Sequence, residues 1–188
     1  MTGSEDFNRV LARAELVADR AAVEAALDAM AAAITRDLAG ADPLVLAVMI
    51  GGLVPAARLL RRLHFPLQLD YIHASRYRGG TRGGERIDWI ARPRASLEGR
   101  SVLVVDDILD EGHTLAAILV YCREQGAAAV RSAVLVEKLH DRRAAGLQAD
   151  YTGLRTVDRY LFGCGMDYHE HHRQYAAVYA LGPEDEQE

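Results

Sequence analysis

Three short, unbroken apolar runs constrain the fold of this chain more than any other feature. They cover residues 44–50, 102–105 and 133–136, and helical patterns over residues 54–63 and 114–125 lie between them. Strands that are apolar on both faces are buried on both faces, which is typical of parallel sheets covered by helices. The alternation therefore predicts an α/β fold with a doubly wound parallel-sheet core.

Two further segments flank this core. Apolar residues at helical spacing predict helices over residues 5–18 and 20–38, and Asp19 is in position to cap the second helix. Residues 151–181 hold short aromatic and β-branched runs broken by glycines, which predicts small strands in a subsidiary lobe. We expect a single domain over residues 1–183, divided into N-terminal helices (1–40), an α/β core (44–150) and a C-terminal hood lobe (151–183), followed by an acidic tail (184–188).

The charge balance narrows the class of partner. The 188 residues include 22 basic and 27 acidic side chains, and four acids among residues 184–188 account for all but one unit of the net charge of -5. A near-neutral body and the lack of a helix-turn-helix pattern before Pro43 argue against nucleic acid or an anionic membrane as partner. Two cysteines and no signal peptide or long apolar run lead us to expect a cytoplasmic, reduced protein.

The most informative segment is SVLVVDDILDEGHTL, residues 101–115. A buried strand ends in Asp106 and Asp107, and a turn that contains Gly112 then begins a helix. Ligands of open α/β sheets bind at such strand ends, and the backbone N–H groups at a helix N-terminus form a seat for phosphate. Carboxylates beside that seat suit sugar hydroxyls or a divalent cation. The pattern predicts a ribose 5-phosphate site, with a magnesium-binding receiver-type domain and a purely structural turn as alternatives.

This segment also closely resembles the phosphoribosyl pyrophosphate motif of type I phosphoribosyltransferases. The shared order is an apolar strand, two acids, two apolar residues, Asp, a variable residue, Gly, a variable residue and Thr. The resemblance extends from about residue 44 to residue 181 and is strongest to the hypoxanthine-guanine branch. It implies transfer of the phosphoribosyl group from phosphoribosyl pyrophosphate to N9 of hypoxanthine or guanine, with Mg²⁺ as cofactor and IMP or GMP and pyrophosphate as products.

The resemblance implies roles for the acids of the motif. Asp106 and Asp107 would lie under the ribose hydroxyls and, together with Asp167, assist magnesium. Asp110 would transfer a proton at the purine N7. The 5-phosphate seat would consist of Asp110, Glu111, Gly112, His113 and Thr114. Since Glu111 and His113 replace residues that are often small, hydroxylated or basic in relatives, we expect both side chains to point outward.

Other matches concern pyrophosphate and the lid. Ile50, Gly51, Gly52 and Arg173 match the pyrophosphate-binding positions, and the lack of a basic side chain at Ile50 leaves contact there to backbone N–H groups. By resemblance, a cis peptide is expected at Ile50–Gly51. Ser75, Arg76 and Tyr77 match the lid that closes over the ribose and pyrophosphate and excludes water. They lead into RGGTRGG, residues 78–84, which composition predicts to be a mobile loop; a surface loop with no catalytic part is the alternative.

The base site follows from the same resemblance. Lys138 matches the lysine that bonds the purine O6, Tyr160 the aromatic residue that stacks on the base, and Leu161 the residue that offers backbone groups to the purine edge. Lys138 is the only lysine beside 21 arginines. A compact ammonium donor suits O6 and would meet the amino group of adenine badly, which favours a 6-oxopurine.

Several alternatives stay open at the level of sequence. The histidines at 169, 171 and 172 invite a transition-metal interpretation, but no second ligand cluster accompanies them, and a histidine-rich surface turn explains them equally well. A regulator of the same fold that senses phosphoribosyl pyrophosphate is a second hypothesis. A xanthine or pyrimidine acceptor is a third. The resemblance also implies a homodimer or homotetramer.

Overall fold

The computed structural model describes residues 4–77, 86–182 and 184–185, including all of their side chains except those of residues 4–6, 76, 77 and 86. The elements along the chain are α1 (Ser4–Arg13), β1 (Glu15–Ala18), α2 (Arg20–Leu38), β2 (Leu44–Val48), α3 (Leu53–Leu60), β3 (Gln68–Tyr77), β4 (Arg86–Ala91), β5 (Ser101–Leu109), α4 (His113–Glu124), β6 (Ala129–Leu139), β7 (Tyr151–Val157), β8 (Leu161–Phe162) and β9 (Val178–Ala180).

A six-stranded sheet forms the core, in the order β4-β3-β2-β5-β6-β7. All neighbouring strands are parallel except β3 and β4, which pair antiparallel. The three predicted apolar runs are the three central strands of this sheet. Their carboxyl ends meet at one edge, which is the place where open α/β sheets bind ligands. The predicted α/β fold with a parallel-sheet core is confirmed.

Helices cover both faces of this sheet. Alternate residues of β2 face opposite ways, so that Val45 packs in one apolar cluster with α2 and α3, whereas Leu46 packs in another with α4. Asp19 caps α2 as predicted, because its Oδ1 accepts a hydrogen bond of 2.7 Å from the backbone N–H of Ala22. Burial of strand side chains on both faces explains why these runs lack polar alternation.

The predicted first helix is too long. It ends at Arg13, and the following residues form β1, which pairs antiparallel with β9 through Glu15 and Ala180. The helical spacing correctly describes the chain as far as Ala14. The apolar residues before it, Phe7, Val10 and Leu11, pack against Phe162, Tyr168 and Leu181 of the hood. Beyond it, hydrogen bonding to the edge of β9, at least 160 residues further along the chain, outweighs the local periodicity, which contains no information about that strand.

The boundary between core and hood also differs from expectation. The expected lobe begins at residue 151, but β7 pairs parallel with β6, with Tyr151 opposite Ala133, and belongs to the core sheet. Its glycine at position 153 is required by close packing, because a Cβ there would lie 2.7 Å from the carbonyl oxygen of Leu135. The small hood sheet therefore consists of β1, β9 and β8.

The predicted mobile loop over residues 78–84 lies outside the described residues. On either side of it, β3 and β4 pair from Tyr77 and Arg86 onward, so that the segment connects the ends of a hairpin. Among the helices that the structure describes, none has the length and apolarity needed to cross a membrane.

Candidate functional site

The site is built at the carboxyl edge of β2, β5 and β6, where residues 106–110 include three carboxylates. Asp106 and Asp107 are adjacent near the end of β5, and Asp110 directly follows the strand. The carboxyls of Asp106 and Asp107 interact with each other, whereas that of Asp110 contacts Lys138 and His140. The acids therefore occupy two environments, the acid pair of Asp106 and Asp107 and a second group around Asp110.

In the acid pair Asp107 is buried and Asp106 is half-buried, and the two carboxyls lie close together. The Asp107 residue is 8% exposed, and its Oδ1 accepts a 2.8 Å hydrogen bond from the N–H of Ile108, while Asp106 Oδ1 accepts one of 2.9 Å from the N–H of Asp107. Burial raises the pKa of both carboxyls, and the neighbouring charge of Asp107 raises that of Asp106 further. Among the causes that partly offset burial at Asp107 is the charge of Arg173.

A glycine turn lies against this pair. It consists of Ile50, Gly51 and Gly52, directly between β2 and α3. A Cβ on Gly51 would lie 2.0 Å from Asp107 Oδ2, and one on Gly52 would lie 2.6 Å from the carbonyl oxygens of Val48 and Val105. Only glycine allows this approach of the turn to the end of β5.

The hood closes over the same turn. A Cβ on Gly165, whose φ is +108°, would lie 2.1 Å from the carbonyl oxygen of Gly51. The Gly165 carbonyl accepts a 2.7 Å hydrogen bond from Arg173 Nη1, and Arg173 Nη2 lies 2.7 Å from Asp167 Oδ1. One guanidinium therefore ties Asp167 and the Gly165 backbone together beside the acid pair.

A turn and a helix N-terminus follow Asp110. Gly112 has φ +81° and precedes α4, and a Cβ there would lie 2.3 Å from Leu147 Cδ2. The first bond of the helical ladder runs from the N–H of Ala116 to the Gly112 carbonyl at 2.8 Å. The backbone N–H groups that precede Ala116 lie at the positive end of the helix dipole, an arrangement that suits an anionic group.

Asp110 lies in a group of charged side chains that we call the lysine ring, made of Asp110, Lys138, Asp158, Arg142 and His140. Lys138 Nζ donates to Asp110 Oδ2 at 2.8 Å and lies 3.4 Å from Asp158 Oδ1. His140 Nε2 lies 2.8 Å from Asp110 Oδ1, and Arg142 Nη2 donates to Asp158 Oδ2 at 2.5 Å. The N–H of Arg142 donates to His140 Nδ1 at 3.1 Å and completes the ring.

The ring sets the pKa of Asp110. Burial alone would raise the pKa of this carboxyl, but the hydrogen bond and charge of Lys138, with the contribution of His140, outweigh it and lower the pKa below the usual value. Ligand atoms of Asp110, His140 and Asp158 also lie within 4.8 Å of one another, as in a metal site. Here the ammonium of Lys138 already contacts both carboxylates, so that the trio is neutralised by the protein itself.

Comparisons with known proteins agree with this geometry. A family model described as a phosphoribosyl transferase domain matches residues 14–169. The hypoxanthine-guanine phosphoribosyltransferase of Streptococcus pneumoniae is 31% identical over 155 residues, which cover 82% of this chain and 86% of that protein. The bifunctional protein TilS/HprT of Listeria innocua is 32% identical over 151 residues, or 80% of this chain, and this chain spans only 23% of its length.

Solved structures give the same result. A hypoxanthine phosphoribosyltransferase from Staphylococcus aureus superposes with a TM-score of 0.86 at 25% identity and covers 98% of each chain. A hypoxanthine-guanine phosphoribosyltransferase from Bacillus anthracis superposes with a TM-score of 0.81 at 26% identity, over 89% of this chain and 97% of that one. This chain belongs to the phosphoribosyltransferase family.

Within this family member, the predicted site residues fall into three groups. The glycine turn, the acid pair, Asp167 and Arg173 form one corner of the site. Asp110 and Lys138 form another. The third consists of Gly112, which precedes α4, and of His113 and Thr114, the first two residues of that helix. Glu111 and His113 interact with each other on the rim, with Glu111 Oε2 and His113 Nε2 3.7 Å apart and about a third of each side chain exposed.

The remaining predicted residues differ from one another in exposure and in contacts. Tyr160 is 45% exposed and its ring meets that of Tyr168 edge to face at 6.0 Å, whereas Leu161 is buried opposite Ala180. Burial and the charge of Asp167 raise the pKa of Tyr160. Ser75 is exposed on β3, opposite Asp88, and the side chains of Arg76 and Tyr77 lie outside the described residues.

One expectation about this chain changes. The cis peptide joins Met49 to Ile50, one bond before the expected position, where the chain leaves β2. Two of the three histidines that the sequence left open between a metal site and a surface turn contact α1. The His171 ring stacks on Phe7 of α1 at 3.9 Å, and His172 Nε2 lies 3.0 Å from the Phe7 carbonyl oxygen. These two contacts hold α1 against the hood.

Four residues of this site were not predicted from the sequence. His140, Arg142 and Asp158 belong to the lysine ring, and Gly165 packs on the glycine turn. The position of His140 two residues after Lys138 was a usable signal, because residues i and i+2 of an extended segment lie on one face. No local signal marks Asp158, which approaches Lys138 only because β7 pairs with β6.

Proposed function

We propose that this protein transfers the 5-phosphoribosyl group of phosphoribosyl pyrophosphate to N9 of hypoxanthine or guanine, forming IMP or GMP and pyrophosphate. The observation that carries the proposal is the pairing of Lys138 Nζ with Asp110 Oδ2 at 2.8 Å. A 6-oxopurine presents an acceptor, O6, and a donor, N7–H, as neighbours on one edge. An ammonium and a carboxylate side by side match that edge with opposite polarity.

The chemistry follows from these two groups. N9 of the purine forms a bond to C1 of the ribose as the bond from C1 to the pyrophosphate oxygen breaks, and pyrophosphate leaves with the electron pair. The purine then has one proton too many, and Asp110 accepts it from N7 as a general base. The lowered pKa of Asp110 keeps that carboxylate ionised and ready to accept.

The other groups hold the sugar and its phosphates. We assign the ribose hydroxyls to Asp106 and Asp107, the 5-phosphate to backbone N–H groups of residues 110–114, and pyrophosphate to the glycine turn and Arg173. Tyr160 would stack on the base and Leu161 would offer it backbone groups. Ser75, Arg76 and Tyr77 would close over the substrates and exclude water.

The acid pair fits a divalent cation. Two adjacent carboxylates, one buried and one half-buried, have raised pKa values and lack full compensation of charge within the protein. Oxygen ligands are those that Mg²⁺ prefers. Asp106 and Asp107 would hold the ion with help from Asp167. When bound, magnesium neutralises the negative charge of the leaving pyrophosphate.

A product assay tests the proposal. The protein is incubated with Mg²⁺, phosphoribosyl pyrophosphate and one base at a time, chosen from hypoxanthine, guanine, xanthine and adenine, and nucleotides are separated by chromatography. We expect IMP and GMP and little AMP. Xanthine belongs in the series because one structural relative, with a TM-score of 0.81, is a hypoxanthine-guanine-xanthine phosphoribosyltransferase. Failure to form a nucleotide with any of the four bases would refute the proposal.

We also propose that the protein acts as a cytoplasmic homodimer or homotetramer. The family resemblance supports the assembly, and two buried free cysteines suit a reducing compartment. Light scattering on the purified protein measures the number of subunits directly.

A further inference from the structure

Among the members of the lysine ring that the proposed reaction does not use, His140 contacts Asp110 directly. His140 is not a predicted site residue, yet its Nε2 lies 2.8 Å from Asp110 Oδ1, the oxygen that Lys138 does not contact. Its side chain is only 6% exposed, compared with 40% for that of Asp110. A buried imidazole thus contacts the more exposed carboxylate on the side away from the ammonium.

The proton on His140 can be assigned from its second nitrogen. Nδ1 lies 3.1 Å from the backbone nitrogen of Arg142, whose N–H donates to it. A ring nitrogen that accepts a hydrogen bond carries no proton, and the other nitrogen of a neutral imidazole then carries it. His140 is therefore a neutral Nε2–H donor to Asp110. The ring as a whole balances two carboxylates, Asp110 and Asp158, with the cations of Lys138 and Arg142.

The backbone around Lys138 is also held in place. Arg143 donates from Nη1 to Glu137 Oε1 at 2.5 Å and from Nη2 to the Lys138 carbonyl. Glu137 is 8% exposed and receives a second arginine, Arg155, at 3.0 Å. The end of β6 is thereby anchored on the side opposite the ring, and the positions of Lys138 and His140 relative to each other are set.

These contacts create a problem that His140 solves. If a 6-oxopurine bonds O6 to Lys138 and N7–H to Asp110, it must enter between Nζ and Oδ2 and replace their 2.8 Å bond. A carboxylate held only by the ammonium would then be free to rotate or to follow the lysine. The bond from His140 to Oδ1 persists during this exchange and keeps Oδ2 directed at N7.

We propose that His140 is a positioning residue that holds Asp110 Oδ1 through a neutral Nε2–H. Only Oδ2 then changes its hydrogen-bond donor, from Lys138 to the purine N7–H. This inference rests on the proposed function, because it concerns the proton acceptor of that reaction. Asp158 and Arg142 complete the arrangement, Asp158 by retaining Lys138 and Arg142 by fixing the tautomer of His140.

Two matched substitutions test the role. The amide nitrogen of glutamine occupies about the place of Nε2, whereas that of asparagine is one bond too short, so that H140Q retains the donor and H140N does not. We expect H140A and H140N to lower kcat for hypoxanthine roughly tenfold, with KM for phosphoribosyl pyrophosphate within about twofold of the unmodified value. H140Q should restore kcat to within about threefold. Equal kcat values for H140Q and H140N, or a kcat of H140A near that of the unmodified enzyme, would overturn the proposal.

A second measurement does not depend on turnover. The ¹⁵N chemical shifts of the His140 ring should show a neutral Nε2–H tautomer, and D110A should change the Nε2–H signal without changing the thermal midpoint by more than a few degrees. A proton on Nδ1, or an Nε2–H signal unaffected by D110A, would contradict the positioning role. If the unmodified protein forms no nucleotide while these shifts are as expected, the proposed function fails and the contact stands.

Discussion

Asp107 and Asp110 lie three residues apart on one segment, and their surroundings move their pKa values in opposite directions. Asp107 is buried beside another carboxyl, and burial raises its pKa despite the charge of Arg173. Asp110 is bracketed by Lys138 and His140, which lower its pKa in spite of partial burial. One site therefore holds a pair whose ionisation is disfavoured by burial and a single carboxylate that the protein itself keeps ionised. Depth of burial and local compensation of charge together separate the two acids.

The largest expected effect comes from removal of the compensated carboxylate. Asp110→Asn retains the shape of the side chain and loses the proton acceptor, so that kcat should fall by roughly 10² to 10⁴-fold. KM for phosphoribosyl pyrophosphate should change little, because the acid pair and the glycine turn are intact. Steady-state kinetics with both substrates varied measures the two effects separately, and a kcat like that of the unmodified enzyme would rule out Asp110 as the base.

A substitution in the glycine turn tests the region of the acid pair through a steric clash, without a change of charge. In Gly51→Ala the new Cβ would lie 2.0 Å from Asp107 Oδ2, so that the carboxylate or the turn must move. A displacement of about 1 Å costs on the order of 10²-fold in turnover, and we expect that loss in kcat/KM for phosphoribosyl pyrophosphate. Gly40→Ala is the matched control, since a Cβ there meets no atom within 4 Å. Equal activity of the two variants would show that the turn tolerates a side chain.

A substitution in the acid pair should change stability and substrate binding in opposite directions. The pKa of Asp106 is raised in the folded protein, so its ionisation destabilises the fold as pH rises through that pKa, and the cost is absent below the pKa of the unfolded chain. Asp106→Asn should therefore increase the free energy of unfolding by about 1 kcal/mol at pH 8 and by much less at pH 4. Urea unfolding at both pH values measures the difference.

The same variant should bind its substrate less well. We expect KM for phosphoribosyl pyrophosphate to rise roughly tenfold, because a charged acceptor of ribose hydroxyls is lost. Magnesium at millimolar concentration should raise the thermal midpoint of the unmodified protein more than that of Asp106→Asn. A variant that is less stable at pH 8 would contradict the assignment of an uncompensated pair.

The smallest effect distinguishes charge from shape at Lys138. Lys138→Arg keeps a cation beside Asp110 and thus its lowered pKa, but replaces a compact donor by a planar fork. KM for hypoxanthine should rise several-fold, up to about tenfold, with kcat less affected. Competition assays between hypoxanthine and guanine compare base use by Lys138→Arg with base use by the unmodified enzyme. Unchanged use of hypoxanthine would show that the single lysine among 21 arginines reflects composition and not selection of the base.

The fold was predictable where burial was symmetric. Apolar runs such as residues 102–105 lie between helices on both faces, and no polar alternation is possible there. The ends of the sheet were harder. Residues 15–18 have an apolar spacing compatible with a helix, and β7 is only partly buried, so that each required a partner strand for its assignment.

The site divides in the same way. Asp106, Asp107, Asp110 and Gly112 are found from sequence because a strand end, adjacent acids and a turn form one continuous motif. His140 and Asp158 are not, since their roles depend on the approach of β7 and of the segment after β6 to the end of β5. Gly165 was not predicted either, because its contact with Gly51 exists only once the hood is placed.

The sequence by itself determined the central parallel sheet, the strand that carries the acids and the helix whose N-terminus follows them, because these depend on local periodicity and on neighbours in the chain. Only the tertiary structure decided which acid is compensated. Asp107 and Asp110 are the same residue type on the same segment, and the groups that distinguish them are Arg173, 66 positions after Asp107, and Lys138 and His140, about 30 after Asp110. Electrostatic interaction depends on distance in space, which spacing along the chain does not reveal.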